Sequence, residues 1–360
     1  MFGDQIRNLY RINLNLKQGE PLLVFTDDEK DYLVGLIDEF VEVGREFTED
    51  VRSLVYPSLK VHGTEPPEDL WRITFGDRAI DELVERGLFE RILEKDKYPV
   101  DEVVKILKGL SENVPKVVVA FPYFSTTHTF YRKVLTDHFG VRYASMPLFD
   151  PSMFLTSMNV DWDYVARLST DIADLLTEGE WVHVRSEHGT DIEFSIKGRK
   201  GIADTGLFHR PGDFGNLPAG EAFVAPVETE AYGRLVILYA PDRQLERPLT
   251  FKFRDGGVED IEGFEEYRNF IEDIFKKMPS ARFIAEFGVG TNPKASRPDN
   301  LLEAEKILGT VHIAIGDNHT FGGTNRVGFH TDYVVFKPTV LVGGRGWEKE
   351  LLLKGKLQKI

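Results

Sequence analysis

Between Ala285 and Asp332 the chain reads AEFGVGTNPKASRPDNLLEAEKILGTVHIAIGDNHTFGGTNRVGFHTD, threading Glu286, Glu303, Glu305, His312, Asp317, His319, His330 and Asp332 through Gly-rich turns. Carboxylates and imidazoles at this density are the oxygen and nitrogen donors that hold divalent metal ions. Acidic residues ordinarily occupy solvated helix faces, and Glu303 suits that placement. Glu286 does not, because it ends the apolar run ARFIA where GVGTNP turns the chain. His312 takes the second place of VHIAI, a buried-strand pattern. An unpaired polar group there costs about 1–3 kcal/mol, so the ring needs a partner. His330 and Asp332 stand two residues apart, and an extended chain presents both on one face of one strand.

One other carboxylate is placed suggestively. Glu221, in GNLPAGEAFVAP, lies between a Gly-rich turn and an alternating run. A Glu at a strand start otherwise faces solvent, and the pattern alone leaves both placements open. His128 in STTHTFYRK sits where a strand hands over to a helix, a place that faces ligands in open α/β sheets, but a helix cap by Ser125 or Thr126 explains the segment equally well. His62, His138, His183, His188 and His209 are isolated in polar context and read as surface residues.

Positioning such a cluster requires a substantial scaffold. At 360 residues, with 42% hydrophobic and 12% aromatic residues, the chain is long enough for two cores. A net charge of −15, without any basic patch interleaved with aromatics, argues against nucleic acid and anionic membranes as partners. The absence of Cys excludes disulfides, thiolate metal sites and Cys nucleophiles. No leader pattern opens the chain and no stretch reaches the ~20 apolar residues of a membrane span, so a cytoplasmic protein is expected.

Strand and helix signals alternate in the first part: strands over 21–26, 51–56, 116–120 and 141–146, with helices over 32–46, 77–93, 100–109 and 130–139. This order predicts βαβ units and a largely parallel sheet in an α/β N-terminal domain over 1–150. No dinucleotide fingerprint or phosphate loop interrupts it. After a helix over 161–176 the texture changes to strands at 181–185, 191–196, 221–227, 234–238, 311–315, 333–336 and 340–342, with helices over 263–277 and 301–308. An α+β catalytic domain over 151–360 is expected, its closing EKELLLKGKLQKI either pairing with a sheet or staying loose.

NLPAGEAFVAP, IAEFGVGTNP, EAEKILGTVHIAIGDN and HTD, in this order, resemble the metal-dependent aminopeptidase family that includes aminopeptidase T and aminopeptidase S. GTDIEFSI and INLNLKQGEPLLVF resemble further segments of it, so the similarity covers most of the chain and is strongest over 189–332. The resemblance implies two divalent ions (Zn, Co or Mn) held by Glu221, Glu286, Glu305, His312, His330 and Asp332, with Glu286 bridging, inside a homodimer. The sequence departs from the family in three ways. Fewer residues separate His312 from the HTD motif than in the larger members, and the chain is shorter overall; His319 occupies the place of a family Tyr; and Glu305 aligns only with a small gap before His312.

On this reading the protein removes N-terminal residues from peptides. A metal-bridged hydroxide attacks the carbonyl, Glu221 or Glu305 shuttles the proton, and His319 either donates to the oxyanion or is an ordinary turn residue. A rival reading keeps only His312, His330 and Asp332, the two-His, one-carboxylate triad of non-haem Fe(II) oxygenases, since a ring-opening dihydroxypyridine dioxygenase resembles the same superfamily. Glu221, Glu286 and Glu305 discriminate, because a single iron needs no three further acidic ligands. A metal-binding module without turnover is the third.

Overall fold

The structure of the protein is a computed structural model that describes residues 1–241 and 243–359. The chain divides into two compact units, Met1–Asn159 with Gly206–Pro218, and Val160–Thr205 with Ala219–Ile360. The division thus falls after Asn159, where the sequence suggests 150. The segment 206–218 joins the first unit because its strand extends that unit's sheet.

In the first unit, β1 (Leu22–Asp27), β2 (Val51–Tyr56), β3 (Val117–Ala120), β4 (Arg142–Ser145) and β8 (Phe214–Asn216) form a parallel sheet in the order β2-β1-β3-β4-β8. Parallel sheets are covered on both faces, and β1, β3 and β4 are buried along their whole length, which is why PLLVFT and KVVVA are continuously apolar. The crossovers include the helices Asp31–Gly44, Val100–Leu110 and Phe130–Phe139. The helix expected over 77–93 is instead two, Asp77–Glu85 and Leu88–Leu93. Gly87 breaks it by taking the left-handed conformation (φ 64°) that a Cβ would disfavour.

Arg142 ties the N-terminal segment to this sheet. Its buried guanidinium donates through Nη1 to the carbonyls of Leu14 (2.9 Å) and Asn15 (2.8 Å), and through Nη2 to Glu20.

The second unit is built on two antiparallel sheets. The larger comprises β5 (Trp181–Arg185), β6 (Asp191–Ser195), β10 (Ala231–Ala240), β11 (Arg243–Arg254), β12 (Gly257–Gly263), β16 (Thr339–Gly344), β17 (Trp347–Leu353) and β18 (Lys356–Leu357), in the order β12-β11-β10-β6-β5-β16-β17-β18. The tail that the sequence leaves either paired or loose is therefore β17 and β18. The smaller comprises β7 (Ile202–Asp204), β9 (Glu221–Val224), β13 (Ile284–Gly290), β14 (Val311–Gly316) and β15 (His330–Val335), in the order β15-β14-β13-β9-β7.

One hydrophobic core joins these sheets. Val182, Phe194, Leu235 and Phe251 come from the larger, and Val224, Phe287, Val289, Ile313, Ile315, Tyr333 and Val335 from the smaller. Because strand side chains alternate, burying Phe287 and Val289 here turns Glu286, Gly288 and Gly290 to the opposite face. Among the described residues no helix is long and apolar enough to cross a membrane.

Arg142→Ala should lower the stability of the first unit by about 2–3 kcal/mol, since it strands the buried Leu14 carbonyl, the partly buried Asn15 carbonyl and the Glu20 carboxylate. Urea unfolding followed by circular dichroism checks this, and a loss below about 0.5 kcal/mol would refute the anchoring role.

Candidate metal centre

Register alone assembles much of the site. On the face of the smaller sheet away from the core, Gly290 pairs with Glu221, Gly288 with His312, Glu286 with Ala314, Ala314 with Asp332, and Gly316 with His330. Large donor-bearing side chains therefore lie beside residues with little or no side chain. Gly288 is the clearest case, since a Cβ there would stand 2.1 Å from Cε1 and Nε2 of His312. Gly288 is thus the space into which the imidazole folds, while a Cβ at Gly290 would instead stand 2.2 Å from the Ile307 carbonyl oxygen.

All the candidate ligands inferred from sequence come together in this region. His312 Nε2 lies 3.5 Å from Glu286 Oε1 and 3.4 Å from Glu221 Oε2. His330 Nε2 lies 3.5 Å from Glu286 Oε2 and 3.3 Å from Asp332 Oδ2. Two donor groups have atoms within 4.8 Å of one another: Glu286, His312 and Asp332, and Glu221, Glu305 and His312. Donors about 2.1 Å from a shared divalent ion stand about 3.0–3.4 Å apart, so these separations suit ligands around a cation better than optimal mutual hydrogen bonds. Glu221 Oε2, Asp332 Oδ1 and His312 Nδ1 are moreover buried without a hydrogen-bond partner among the described residues. His330 has the second contact typical of a metal-ligating imidazole. Its Nδ1 meets the Asp317 carbonyl at 2.7 Å, so an N–H donated there leaves Nε2 free for Glu286 and Asp332.

Glu305 arrives differently from its expected place on a helix over 301–308. The helix is only Leu301–Ala304, and Glu305 caps it. The chain then leaves the helical path because Ile307 bridges Asn292 and the Lys306 carbonyl accepts the Asn292 N–H at 2.9 Å. The turn drives Lys306, which the sequence reading missed, into the interior. It is 0% exposed, with Nζ 2.7 Å from both Glu221 Oε1 and Glu305 Oε1. The available signal was a lysine between the acidic EAE and the apolar ILG of the segment leading into His312.

The electrostatics follow from burying acids together. Burial lifts Glu305 to about 8 against the pull of Lys306, and burial likewise raises Glu286. Burial opposes protonation of His312, but its bond to Glu286 and the charges of Glu221, Asp332 and Glu305 prevail and push it up to about 9. Burial is outweighed in the same way at His330, which Asp332 and Glu286 push up to about 10, and at Asp332, which His330, His312 and Lys306 hold at about 2. Burial is again overcome at Lys306, raised by Glu221, Glu305 and Asp204. The pocket thus collects positive charge, and a divalent ion held there would displace the imidazole protons.

His319 is placed apart from both donor groups. It is exposed, with Nδ1 2.6 Å from Asp317 Oδ1. Asp317 also accepts from Val327 N at 2.8 Å, which fixes the loop between β14 and β15. That loop carries Phe321, whose ring packs edge-on against Phe223 (5.7 Å) and against His330 (6.0 Å). Phe223 and Phe321, both half-buried, thus form an aromatic wall beside the donors.

Comparison with known proteins gives two kinds of likeness. By structure, the chain is similar to the 2,5-dihydroxypyridine dioxygenase of Pseudomonas putida KT2440, with a TM-score of 0.70 at 18% identity over 99% of this chain and 96% of that one. It is also similar to wild-type AmpT from Thermus thermophilus, with a TM-score of 0.62 at 14% identity over 99% and 98%. At these identities both show the fold, an α/β N-terminal domain with a parallel sheet and an α+β C-terminal domain. The aminopeptidase T resemblance therefore holds for the fold. By sequence, the chain is 26% identical over 193 residues to the 2,5-dihydroxypyridine 5,6-dioxygenase of P. putida, spanning 47% of this chain and only about half (55%) of that relative. A family model, NicX: 2,5-dihydroxypyridine 5,6-dioxygenase, matches residues 149–358, which contain every donor described above. More than half of the chain fits that model, and the chain belongs to the NicX, or 2,5-dihydroxypyridine 5,6-dioxygenase, family.

Proposed function

We propose that the protein is a mononuclear metal-dependent dioxygenase that opens a dihydroxylated heteroaromatic ring. The observation that carries this reading is the pairing of Lys306 with both Glu221 and Glu305, which satisfies one half of the acidic cluster with a cation of the chain's own. Glu286, His312, His330 and Asp332 remain as the set for one divalent ion. His312, His330 and Asp332 among them make the two-imidazole, one-carboxylate combination of non-haem iron oxygenases. The family to which the chain belongs supports the same class.

Iron(II) in such a site supplies the one-electron chemistry that lets a closed-shell ring react with dioxygen. The chain's own residues prepare the reaction. The Asp317 carbonyl holds the His330 ring with Nε2 toward Glu286 and Asp332. Glu221, fixed at Oε1 by Lys306 and, among the described residues, without a hydrogen bond at Oε2, is the base that takes a ring-hydroxyl proton. Phe223 and Phe321 supply an apolar wall suited to a flat ring and limit the water beside it.

A second reading has its own observation. Glu221, Glu305 and His312 form a further donor group, and if Lys306 withdrew, the site would hold two ions and suit the aminopeptidase chemistry.

Turnover separates the two. Oxygen uptake in the presence of Fe(II) and 2,5-dihydroxypyridine, without release of p-nitroaniline from leucine-p-nitroanilide in Zn(II) or Co(II), is the expected outcome, and the reverse pattern would overturn it. Gly288→Ala should displace the His312 ring and weaken metal binding at least ~10-fold while the circular dichroism spectrum persists. Metal content after gel filtration, unchanged from the parent protein, would disprove that spacing role. Phe321→Ala should raise KM for the ring substrate by about three- to tenfold at unchanged metal content, in keeping with the loss of one aromatic contact.

A further inference from the structure

Lys306 is held where it is by its main chain. Its N–H donates to the Glu303 carbonyl at 3.0 Å, its carbonyl accepts from Asn292 at 2.9 Å, and the next residue bridges Asn292. The side chain is wholly buried, and its ammonium reaches one oxygen of Glu221 and one of Glu305 at equal distances of 2.7 Å. These two carboxylates, with His312, are the donor group that lies beside the Glu286, His312 and Asp332 group and shares its imidazole. The ammonium therefore sits on the carboxylate pair that a second ion would need.

We infer that Lys306 is a built-in cation that keeps this centre mononuclear, and that removing its charge opens a second divalent-metal site on Glu221, Glu305 and His312. The inference rests on the mononuclear reading above. Two carboxylates buried side by side need a counter-charge, and neighbouring cations repel. An ammonium that already bridges the pair excludes a divalent ion by charge and by volume. Methionine keeps the length of the lysine stem and its apolar packing while leaving the two carboxylates without a cation. The nearest cation source is then the solvent, and an imidazole ligand is already in place.

The test uses the full chain, freed of metal and reloaded with Mn(II), whose electron paramagnetic resonance distinguishes one isolated ion from a coupled pair. The parent protein should bind about one Mn(II) per chain with an isolated-ion spectrum, and Lys306→Met about two with a coupled spectrum. A parent protein that already binds two would overturn the mononuclear reading, and this inference with it. A parent that binds one, with a folded Lys306→Met that also binds one, would overturn the inference and leave that reading standing. Should Lys306→Met fail to fold, Glu305→Gln decides, because it keeps an acceptor for the ammonium. Retention of the single Mn(II) supports the assignment of Glu305 to Lys306, and loss of the ion overturns it.

Discussion

Four carboxylates, those of Glu221, Glu286, Glu305 and Asp332, are each at least nine-tenths buried or nearly so in one cluster, and their mutual repulsion is the constraint on which the second unit turns. Left to themselves they would protonate, as the rise at Glu305 and Glu286 indicates, or drive the sheet face open to water. What offsets the repulsion is a graded supply of positive charge. Lys306 serves Glu221 and Glu305, while His312 and His330 lie against Glu286 and Asp332. Imidazoles yield their protons to a metal far more readily than a buried lysine gives up its charge, so the two halves of the cluster differ in kind.

The scaffold makes this concentration of charge tolerable by dividing the faces of one sheet. Phe287, Val289, Ile313, Ile315 and Tyr333 bury the inner face against the larger sheet in a common core. That packing fixes register, and register fixes which side chains meet on the outer face. A one-residue slip of β15 against β14 would send His330 and Asp332 into the core, so stability and the donor set depend on the same pairings. The small residues are the counterpart: Gly288 gives room to the His312 ring, Gly290 to the main chain at Ile307, and Ala314 stands in register with Glu286 and Asp332.

The chain shares its fold with both a 2,5-dihydroxypyridine dioxygenase and AmpT. A ladder of acidic and imidazole donors suits one ion or two. Fold alone is therefore a poor guide to reaction class here. On the mononuclear reading proposed above, the deciding group is Lys306, whose position depends on a short turn.

The sequence by itself determined the parallel sheet of the first unit, because uninterrupted apolar runs such as PLLVFT and KVVVA have no stable place except between two layers. It also pointed to Glu286, His312, His330 and Asp332, since a polar residue inside a period-two apolar pattern, or two donors two residues apart, carries its meaning locally. Tertiary structure decided the rest. The burial of Lys306 depends on a bridge to Asn292 and on β9, whose Glu221 lies 85 residues away in the chain. The local signal, a lysine between EAE and ILG, does not by itself say that the side chain turns inward. The same holds for the helix that stops at Ala304, for the return of 206–218 to the first unit, and for Phe321 meeting Phe223. Each is set by contacts between segments distant in sequence, where the free energy comes from packing and pairing rather than from the propensity of the residues themselves.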